Sequence, residues 1–408
     1  MARYSRLTTK SFQMKILLAN KFFYPRGGES IHTIGLKKLL EAHGHQVAVY
    51  SMQFPENIPN DYSGYWPSTI EFPPRTLHQL KETFFRPVSS REVKRTWNRL
   101  LDDFKPDVVH LHNIHTQLSP VIAREASKRQ IPVFWTLHDY KPVCPVYTFM
   151  RDGKICEECL TNKLSVIQHR CIKKSLPGSI LGYIESVVWS IGKLQEITTK
   201  FISPSGFLMD KMIEAGLKRH KITHIYNFAD DEKFNPVVNK KNYAVYLGRL
   251  SGEKGVETLI QAAMSLPDFQ LKIIGDGPLK NELEEKYSAA NVEFLGYLPW
   301  EQIQTLLGHA RFMIIPSEWY ENNPLSVIEA FSVGTPVLGA NIGGIPELIT
   351  PENGRLFQPG SVNDLKDQIR EMMQISTWNY SLISGAAKKI FSPDKFYTSL
   401  LNEYQLKA

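Results

Sequence analysis

Apolar residues recur along this chain in short runs separated by longer amphipathic stretches. Between residues 14 and 229 the runs MKILLAN (14–20), QVAVYSM (46–52), PDVVHLHN (106–113), IPVFWTL (131–137), KFISPS (200–205) and ITHIYN (222–227) read as buried strands. Stretches such as SIHTIGLKKLLEAHGH stand between them, with apolar residues at helical spacing. This alternation predicts a parallel sheet covered by helices on both faces. A polar stretch, ADDEKFNPVVNKKN (229–242), carries turn and charge signals and reads as a linker. A second alternation follows, with strands in YAVYLGRL, QLKIIGDG, VEFLGYL, FMIIPS and TPVLGA and helices at 254–265, 278–289, 300–309, 324–333 and 361–375. The prediction is α/β throughout: one doubly wound domain over 14–229, a second over 230–375, and C-terminal helices at 376–408 returning to the first.

Length agrees with that division, because 408 residues exceed one ordinary core. Two domains imply a cleft. With 42% hydrophobic and 22% charged residues the composition is that of a soluble globular protein. No apolar run approaches the roughly 20 residues of a membrane span, and the basic start has no apolar signal-peptide core. A cytoplasmic protein is expected, with residues 1–13 bearing no functional weight.

The net charge of +7 is unevenly distributed. Residues 1–229 hold 32 Lys and Arg against 19 Asp and Glu, whereas residues 230–408 hold 16 against 22. A basic first half suits an anionic acceptor, an anionic membrane surface or nucleic acid.

In doubly wound sheets ligands sit beyond the carboxyl ends of the strands, so the loops leaving each strand are where chemistry belongs. The first such loop, KFFYPRGGES, places Gly27 and Gly28 before a helix, where backbone N–H groups can approach a phosphate. Pro-Arg-Gly-Gly is also an ordinary turn. The first loop of the second half, GRLSGEKG (248–255), carries Arg249 and Lys254. These cations could converge on one diphosphate, Arg by bidentate hydrogen bonds and Lys as a point charge, although exposed cations are commonly just solvated.

The stretch EWYENNPLSVIEA (318–330) follows strand FMIIPS. Asn322 or Asn323 is expected to cap a helix whose first position is Pro324, with Glu321 in the loop at the mouth of the cleft and Glu329 in a largely apolar turn. Even in a continuous helix eight residues separate the carboxylates by about 12 Å, too far to share one bond, since paired acid and base carboxylates stand about 5 to 9.5 Å apart. They fit better as grips on two hydroxyl-bearing parts of one long ligand.

With these residues in view the chain resembles the retaining glycosyltransferases of family four. Glu321 and Glu329 match that family's E-x7-E motif, and Arg249 with Lys254 its basic pair. The early Gly-Gly loop, the HLHN and TLHD strand ends, the GDGP turn and GGIPE (343–347) follow in order, so the resemblance runs from Met14 to about residue 375. It implies the GT-B fold, two Rossmann-like domains facing each other across a cleft. It also implies a nucleotide-diphosphate sugar, UDP favoured, held mainly by the second domain, and a saccharide acceptor held by the first.

By the same resemblance Arg249 and Lys254 neutralise the diphosphate, Glu329 holds the ribose and Glu321 the transferred sugar. Gly27 and Gly28, with the backbone of Asn322, Asn323, Pro324 and Leu325, complete the phosphate cradle. His138 aligns with a histidine near the reacting sugar, and its near-neutral pKa would allow either protonation state; His112 and His110 end the preceding strand. Asn322-Asn323-Pro324 departs from the family's Gly-Phe-Gly type, which leaves the sugar open. The activity implied is hexosyl transfer with retention in cell-surface polysaccharide biosynthesis, without a catalytic metal, since an Asp-x-Asp motif is missing. A GT-B sugar phosphorylase or a nucleotide-sugar epimerase would keep the fold and change the reaction.

All four cysteines fall in 144–171, as Cys144, Cys156, Cys159 and Cys171. Four thiolates including a C-x2-C pair suit a structural zinc, with His169 an alternative ligand and an iron–sulfur cluster a second occupant of the same thiolates. The expectation is a zinc-folded flap beside the acceptor mouth. Finally, SREVKRTWNRLL (90–101) places Val93, Trp97, Leu100 and Leu101 on one helical side and basic residues around the rest. Such a helix either lies on an anionic bilayer, implying a polyprenyl-diphosphate-linked acceptor, or covers its own sheet. A zinc-containing nucleic-acid-binding protein is the competing class. It predicts aromatics among the basic residues, which are sparse around the cysteines, and no nucleic acid is expected.

Overall fold

The computed structural model describes residues 13–70, 77–229, 235–287 and 289–405. Residues 1–12 and part of the expected linker, 230–234, thus lie outside the described residues.

The strands of the first half are β1 (Lys15–Ala19), β2 (Gln46–Tyr50), β3 (Val108–Leu111), β4 (Val133–Thr136), the short β5 (Met150–Arg151) and β6 (Lys154–Ile155), β7 (Lys200–Ser203) and β8 (Ile222–His224). Those of the second are β9 (Ala244–Leu247), β10 (Leu271–Ile274), β11 (Val292–Gly296), β12 (Phe312–Ile315), β13 (Val337–Ala340) and β14 (Gly354–Phe357). Helices α1 (Gly28–Ala42), α2 (Leu77–Ser89), α3 (Arg91–Phe104), α4 (Val121–Lys128), α5 (Ser165–Gln168), α6 (Leu176–Val188), α7 (Ile191–Ile197) and α8 (Gly206–Glu214) belong to the first half. The second contributes α9 (Val256–Met264), α10 (Lys280–Lys286), α11 (Trp300–His309), α12 (Leu325–Ser332), α13 (Val362–Gln374), α14 (Tyr380–Phe391) and α15 (Pro393–Gln405).

Two six-stranded sheets result, ordered β2-β1-β3-β4-β7-β8 and β11-β10-β9-β12-β13-β14. Every pairing between neighbours in them is parallel. Each sheet reverses its winding once, between β1 and β3 in the first and between β9 and β12 in the second. A crevice opens at such a reversal, because the connections leave in opposite directions. The loops after β1, β3, β9 and β12 therefore border the two crevices, and these are the loops that carry Gly27, His112, Lys254 and Glu321.

Alternation along β1 shows how one strand serves two cores. Ile16 and Leu18 face Leu36, Leu39 and Leu40 of α1 together with Phe396, Leu400 and Tyr404 of α15. Leu17 and Ala19 belong to the cluster on the other side, which holds Val93, Trp97, Leu100 and Leu101 of α3. The apolar side of α3 is thus spent on its own sheet: all four residues are buried, and the Ser90 side chain caps the helix by accepting from Val93 N at 3.3 Å. Of the two readings of this helix, the one in which it covers its own sheet is observed, and its apolar side is not available to a bilayer. At about 2 kcal/mol per fully buried large side chain, withdrawing it would be costly.

α14 packs in the second core through Ile383, Ala387 and Phe391, and α15 crosses to the first domain. There Tyr404 OH meets His110 Nδ1 at 2.5 Å, while His110 Nε2 meets Thr136 Oγ1 at 2.7 Å. Both ring nitrogens of His110 are thereby occupied by structural partners, and burial holds its pKa at about 3.

The cysteine segment does not form the expected metal centre. Among the described residues no group of three or more His, Cys, Asp or Glu stands in a metal-holding arrangement. Cys144 and Cys159 are buried and share a hydrogen bond that holds the Cys144 thiol at about 7 and pushes Cys159 up. Cys171 Sγ instead approaches Ser165 O at 4.0 Å, and His169 Nε2 lies 2.8 Å from Glu158. The zinc expectation, and with it the iron–sulfur alternative that needs the same four thiolates, is corrected on that ground. The segment is held by the β5–β6 hairpin, by Arg151 on Glu158 at 2.6 Å and by burial of Phe149. Phe149 and Tyr140 also pack edge-on against Tyr320, the neighbour of Glu321, so the insertion does border the cleft.

Candidate active site

The loop after β9 and the loop after β12 are joined along their length. Glu318 N donates to Glu253 O at 3.0 Å, and Thr258 Oγ1 donates to Glu318 Oε1 at 2.6 Å. Gly255 makes this approach possible: its φ is +64°, and a Cβ there would lie 2.0 Å from Pro316 O. The residue before it, Lys254, is thereby brought to Glu321, with Nζ 2.7 Å from Oε1 and 4.8 Å from the Trp319 ring centre.

Glu321 lies in the loop between β12 and α12, as expected, and is buried, at 6% exposure. Ser317 Oγ also donates to Oε1, at 2.6 Å. Burial alone would raise this carboxyl, but the Lys254 charge and these hydrogen bonds outweigh it and hold the pKa below the ordinary value. Behind it, Gly344 N donates to Glu321 O at 2.7 Å, and a Cβ on Gly344 would lie 1.9 Å from Asn322 O. The Gly343-Gly344 turn is thus a mould for the Glu321 backbone.

The expected capping of α12 is not observed. Pro324 is itself the N-cap, with no side-chain cap, and the helix begins at Leu325. Asn322 and Asn323 reach the first domain instead. Asn322 Nδ2 donates to Leu137 O at 3.0 Å and its Oδ1 accepts from Ser205 Oγ at 2.7 Å. Asn323 Oδ1 accepts from Asn227 N at 2.8 Å and Asn323 O from Asn227 Nδ2 at 3.0 Å. Glu347 adds a third clasp, accepting from Gly206 N at 2.8 Å and Phe207 N at 2.5 Å at the start of α8. Pro324 has no N–H, so the donors at this helix start are those of Leu325 and the residues after it.

Glu329, in the second turn of α12, is half-buried, and burial pushes its carboxyl up to about 7 with no neighbouring cation to offset it. Arg249 is exposed at the other side of the β9 loop and acts electrostatically on Tyr147 of the insertion, across the cleft. Gly27 is the N-cap of α1 with an extended φ of −166°, so its small size rather than a left-handed backbone is what the site uses. A methyl group on Gly28 would lie 3.9 Å from Leu325 Cδ1. The N-termini of α1 and α12, one from each domain, therefore meet over the same space.

His138 leaves β4 with Nε2 3.0 Å from Nδ1 of His112. Burial, with nearby His32 and His110, pushes its pKa well below the ordinary value, so this imidazole is neutral. That corrects the expectation of a ring free to adopt either protonation state. His32 of α1 stands 5.3 Å from His138, ring centre to ring centre, with neither ring nitrogen hydrogen-bonded. Sequence reasoning misses Lys21, Asp139 and Lys141 on this side. Burial raises Asp139 against the opposing pull of Lys21 and Lys141, and lowers Lys21. Their position at the ends of β1 and β4 was the available signal. It also misses Ser205, Asn227 and Ser317, single polar residues whose partners are distant in sequence. A separate apolar hollow lined by Tyr226, Phe331, Leu382 and Ile390 lies against Glu347 and contains none of the charged pairs of the cleft.

Two facing doubly wound domains with this cleft define the GT-B architecture. Residues 26–233 match the model of Glycosyltransferase Family 4 and residues 227–388 that of Glycosyl transferases group 1. The chain belongs to this glycosyltransferase family. It is 26% identical over 290 residues to sulfoquinovosyl transferase SQD2 of Arabidopsis thaliana, covering 66% of this chain and 50% of that one. It is 26% identical over 315 residues to the putative teichuronic acid biosynthesis glycosyltransferase TuaC of Bacillus subtilis, covering 74% and 71%. The chain spans about half the length of several curated relatives it matches, among them O-antigen chain mannosyltransferase B of Escherichia coli at 49%. Among solved structures, sucrose-phosphate synthase from Thermosynechococcus elongatus superposes with a TM-score of 0.72 at 18% identity, over 97% of this chain and 99% of that one. Anabaena HepE in complex with UDP-glucose gives 0.65 at 18%, over 96% and 99%.

Proposed function

We propose that this protein transfers a hexose from a nucleotide-diphosphate sugar, UDP favoured, to a saccharide acceptor with retention at the anomeric carbon, in the making of a cell-surface polysaccharide or glycolipid. The observation that carries the reading is the Lys254–Glu321 pair set against neutral His138 and the two facing helix N-termini. Support for the donor comes from HepE, solved with UDP-glucose, and support for the product class from relatives named for teichuronic acid, O-antigen and sulfoquinovosyl transfer. An acceptor linked to polyprenyl diphosphate fits the basic first domain.

In this reading Arg249 and Lys254 face the diphosphate, and N–H groups at the starts of α1 and α12 donate to its oxygens. Glu329 accepts from the ribose hydroxyls. Glu321, kept ionised by Lys254, accepts from hydroxyls of the transferred sugar. His138 donates a hydrogen bond to the sugar from a neutral ring. As the bond from the anomeric carbon to the phosphate oxygen breaks, charge builds on that oxygen, where prearranged cations and dipoles lower the barrier. The acceptor oxygen bonds to the same face of the anomeric carbon, and its proton passes to the departing phosphate.

Release of nucleoside diphosphate should require acceptor saccharide. Release without acceptor at the same rate, or interconversion of the donor sugar, would transfer the assignment to a hydrolytic or epimerising reaction.

A further inference from the structure

α6 is an amphipathic helix turned inside out. Its buried residues are Ser179, Gly182, Glu185 and Ser186, while Leu176, Ile180, Ile184 and Val187 are exposed at 42, 40, 42 and 45%. At about 100° per residue the four exposed side chains fall within an arc of roughly 80°, a continuous apolar stripe facing solvent. α2 packs beside α6 and adds Phe84 and Phe85, exposed at 50 and 62%. A helix covering its own core shows the opposite pattern, as α3 does, and exposed apolar surface gathered in one place marks a docking face.

We propose that the α6 stripe, with α2 beside it, is the face on which this protein rests on an anionic lipid bilayer. Charge selects that occupant. The exposed residues Arg170, Lys173 and Lys174 lead directly into the helix, with Lys174 paired to Asp152, and the half of the chain that carries the stripe holds 32 basic against 19 acidic residues. Cations at the border of an apolar helix face meet lipid phosphates while the apolar side chains enter the acyl boundary. A second copy of the chain would bring the same cations together. Among the described residues no helix is long and apolar enough to cross a membrane.

The buried side of α6 leads to the active site. Glu185 accepts from Thr116 N at 2.8 Å and pairs with Lys141 at 3.0 Å, and Lys141 N donates to Asp139 Oδ1 at 2.9 Å, one residue from His138. A bilayer under α6 would present the head of a lipid-linked acceptor beside this rim. That last step rests on the transferase reading, whereas bilayer binding is measured without turnover, so the two fail separately.

The test is flotation of the full chain with vesicles of phosphatidylcholine and phosphatidylglycerol, compared with phosphatidylcholine alone. The wild type should float with the anionic vesicles, and Ile180→Glu/Ile184→Glu should bind them about tenfold less, with an unchanged melting temperature. Should that variant lose its melting transition, Lys173→Glu/Lys174→Glu carries the same readout and should also release the protein. A wild type that never floats, or variants that float like it, overturns the proposal. So does a dimer in light scattering that the glutamates dissolve without any vesicle binding, which would give the face to a second copy.

Discussion

Lys254 Nζ stands 2.7 Å from Glu321 Oε1, joining the loop after β9 to the loop after β12. The carboxylate side chain is 8% exposed and the lysine 23%, so each is the other's main counter-charge in a partly desolvated place. Removing one partner strands the other. Lys254→Ala should destabilise the fold by about 2 to 4 kcal/mol and weaken donor binding at least tenfold. The double variant Lys254→Ala/Glu321→Gln should recover most of the stability and none of the binding. Chemical denaturation of the three proteins reads the first effect and calorimetric titration the second; a double variant no more stable than Lys254→Ala would contradict the pairing.

Glu329 gives a pH dependence of known sign. Its folded pKa of about 7 stands above the ordinary 4.5, so it binds protons more tightly in the folded state. Its contribution to stability is full below about pH 4.5 and is lost as pH rises to about 7. Glu329→Gln should therefore be more stable than the wild type at pH 8, by at most about 3 kcal/mol, with the difference vanishing near pH 5. A ribose diol favours the ionised carboxylate, so nucleotide affinity should rise between pH 6 and 8 in the wild type and stay flat in the variant. Melting curves and titrations across that range check both.

Gly344 predicts how tightly the mould around Glu321 is made. A Cβ there would stand 1.9 Å from Asn322 O and 3.0 Å from Ser205 Cβ, pressing on the segment that links the two domains. Gly344→Ala should cost about 1 to 3 kcal/mol and lower kcat/KM at least tenfold, while an alanine at Gly385, where a Cβ meets nothing within 4 Å, should be silent. Steady-state kinetics on the two variants distinguish a specific mould from a general intolerance of glycine replacement.

Tyr404 ties the last helix to the first sheet. Tyr404→Phe leaves Nδ1 of buried His110 without its partner and should destabilise the protein by about 1 to 3 kcal/mol. Differential scanning calorimetry reads the effect, and an unchanged melting temperature would show that the His110 contact contributes nothing.

Most of the fold was legible because buried parallel strands are continuous apolar runs that need no partner information to recognise. The runs at 46–52 and 131–137 contain β2 and β4, and the helix expected at 300–309 coincides with α11. β14, in Gly354–Phe357, escaped because it is short and carries Arg355. The site was legible as a set of residue types and much less as a set of contacts. Lys254 and Glu321 are 67 residues apart, and only the β9–β12 pairing brings them together. Asn322 and Asn323 looked like helix caps because local sequence offers a helix and no view of the opposite domain, where Leu137, Ser205 and Asn227 wait. The apolar side of α3 looked suited to a membrane for the same reason, since amphipathicity does not say which apolar surface will cover it. The cysteine spacing has the form of a metal site, whereas in the fold Cys144 and Cys159 share a hydrogen bond and no group of three or more ligands takes a metal-holding arrangement among the described residues. Burial, which neutralises His138 and raises Glu329, is a property of the packed molecule alone.

The most direct test of the account is titration of uridine diphosphate into the wild type, Arg249→Ala and Lys254→Ala, with guanosine and adenosine diphosphate as alternatives. One nucleotide should bind the wild type at a single site and each variant at least tenfold more weakly. No binding of any of the three, or binding that both variants retain in full, would contradict a cleft built to hold a sugar diphosphate.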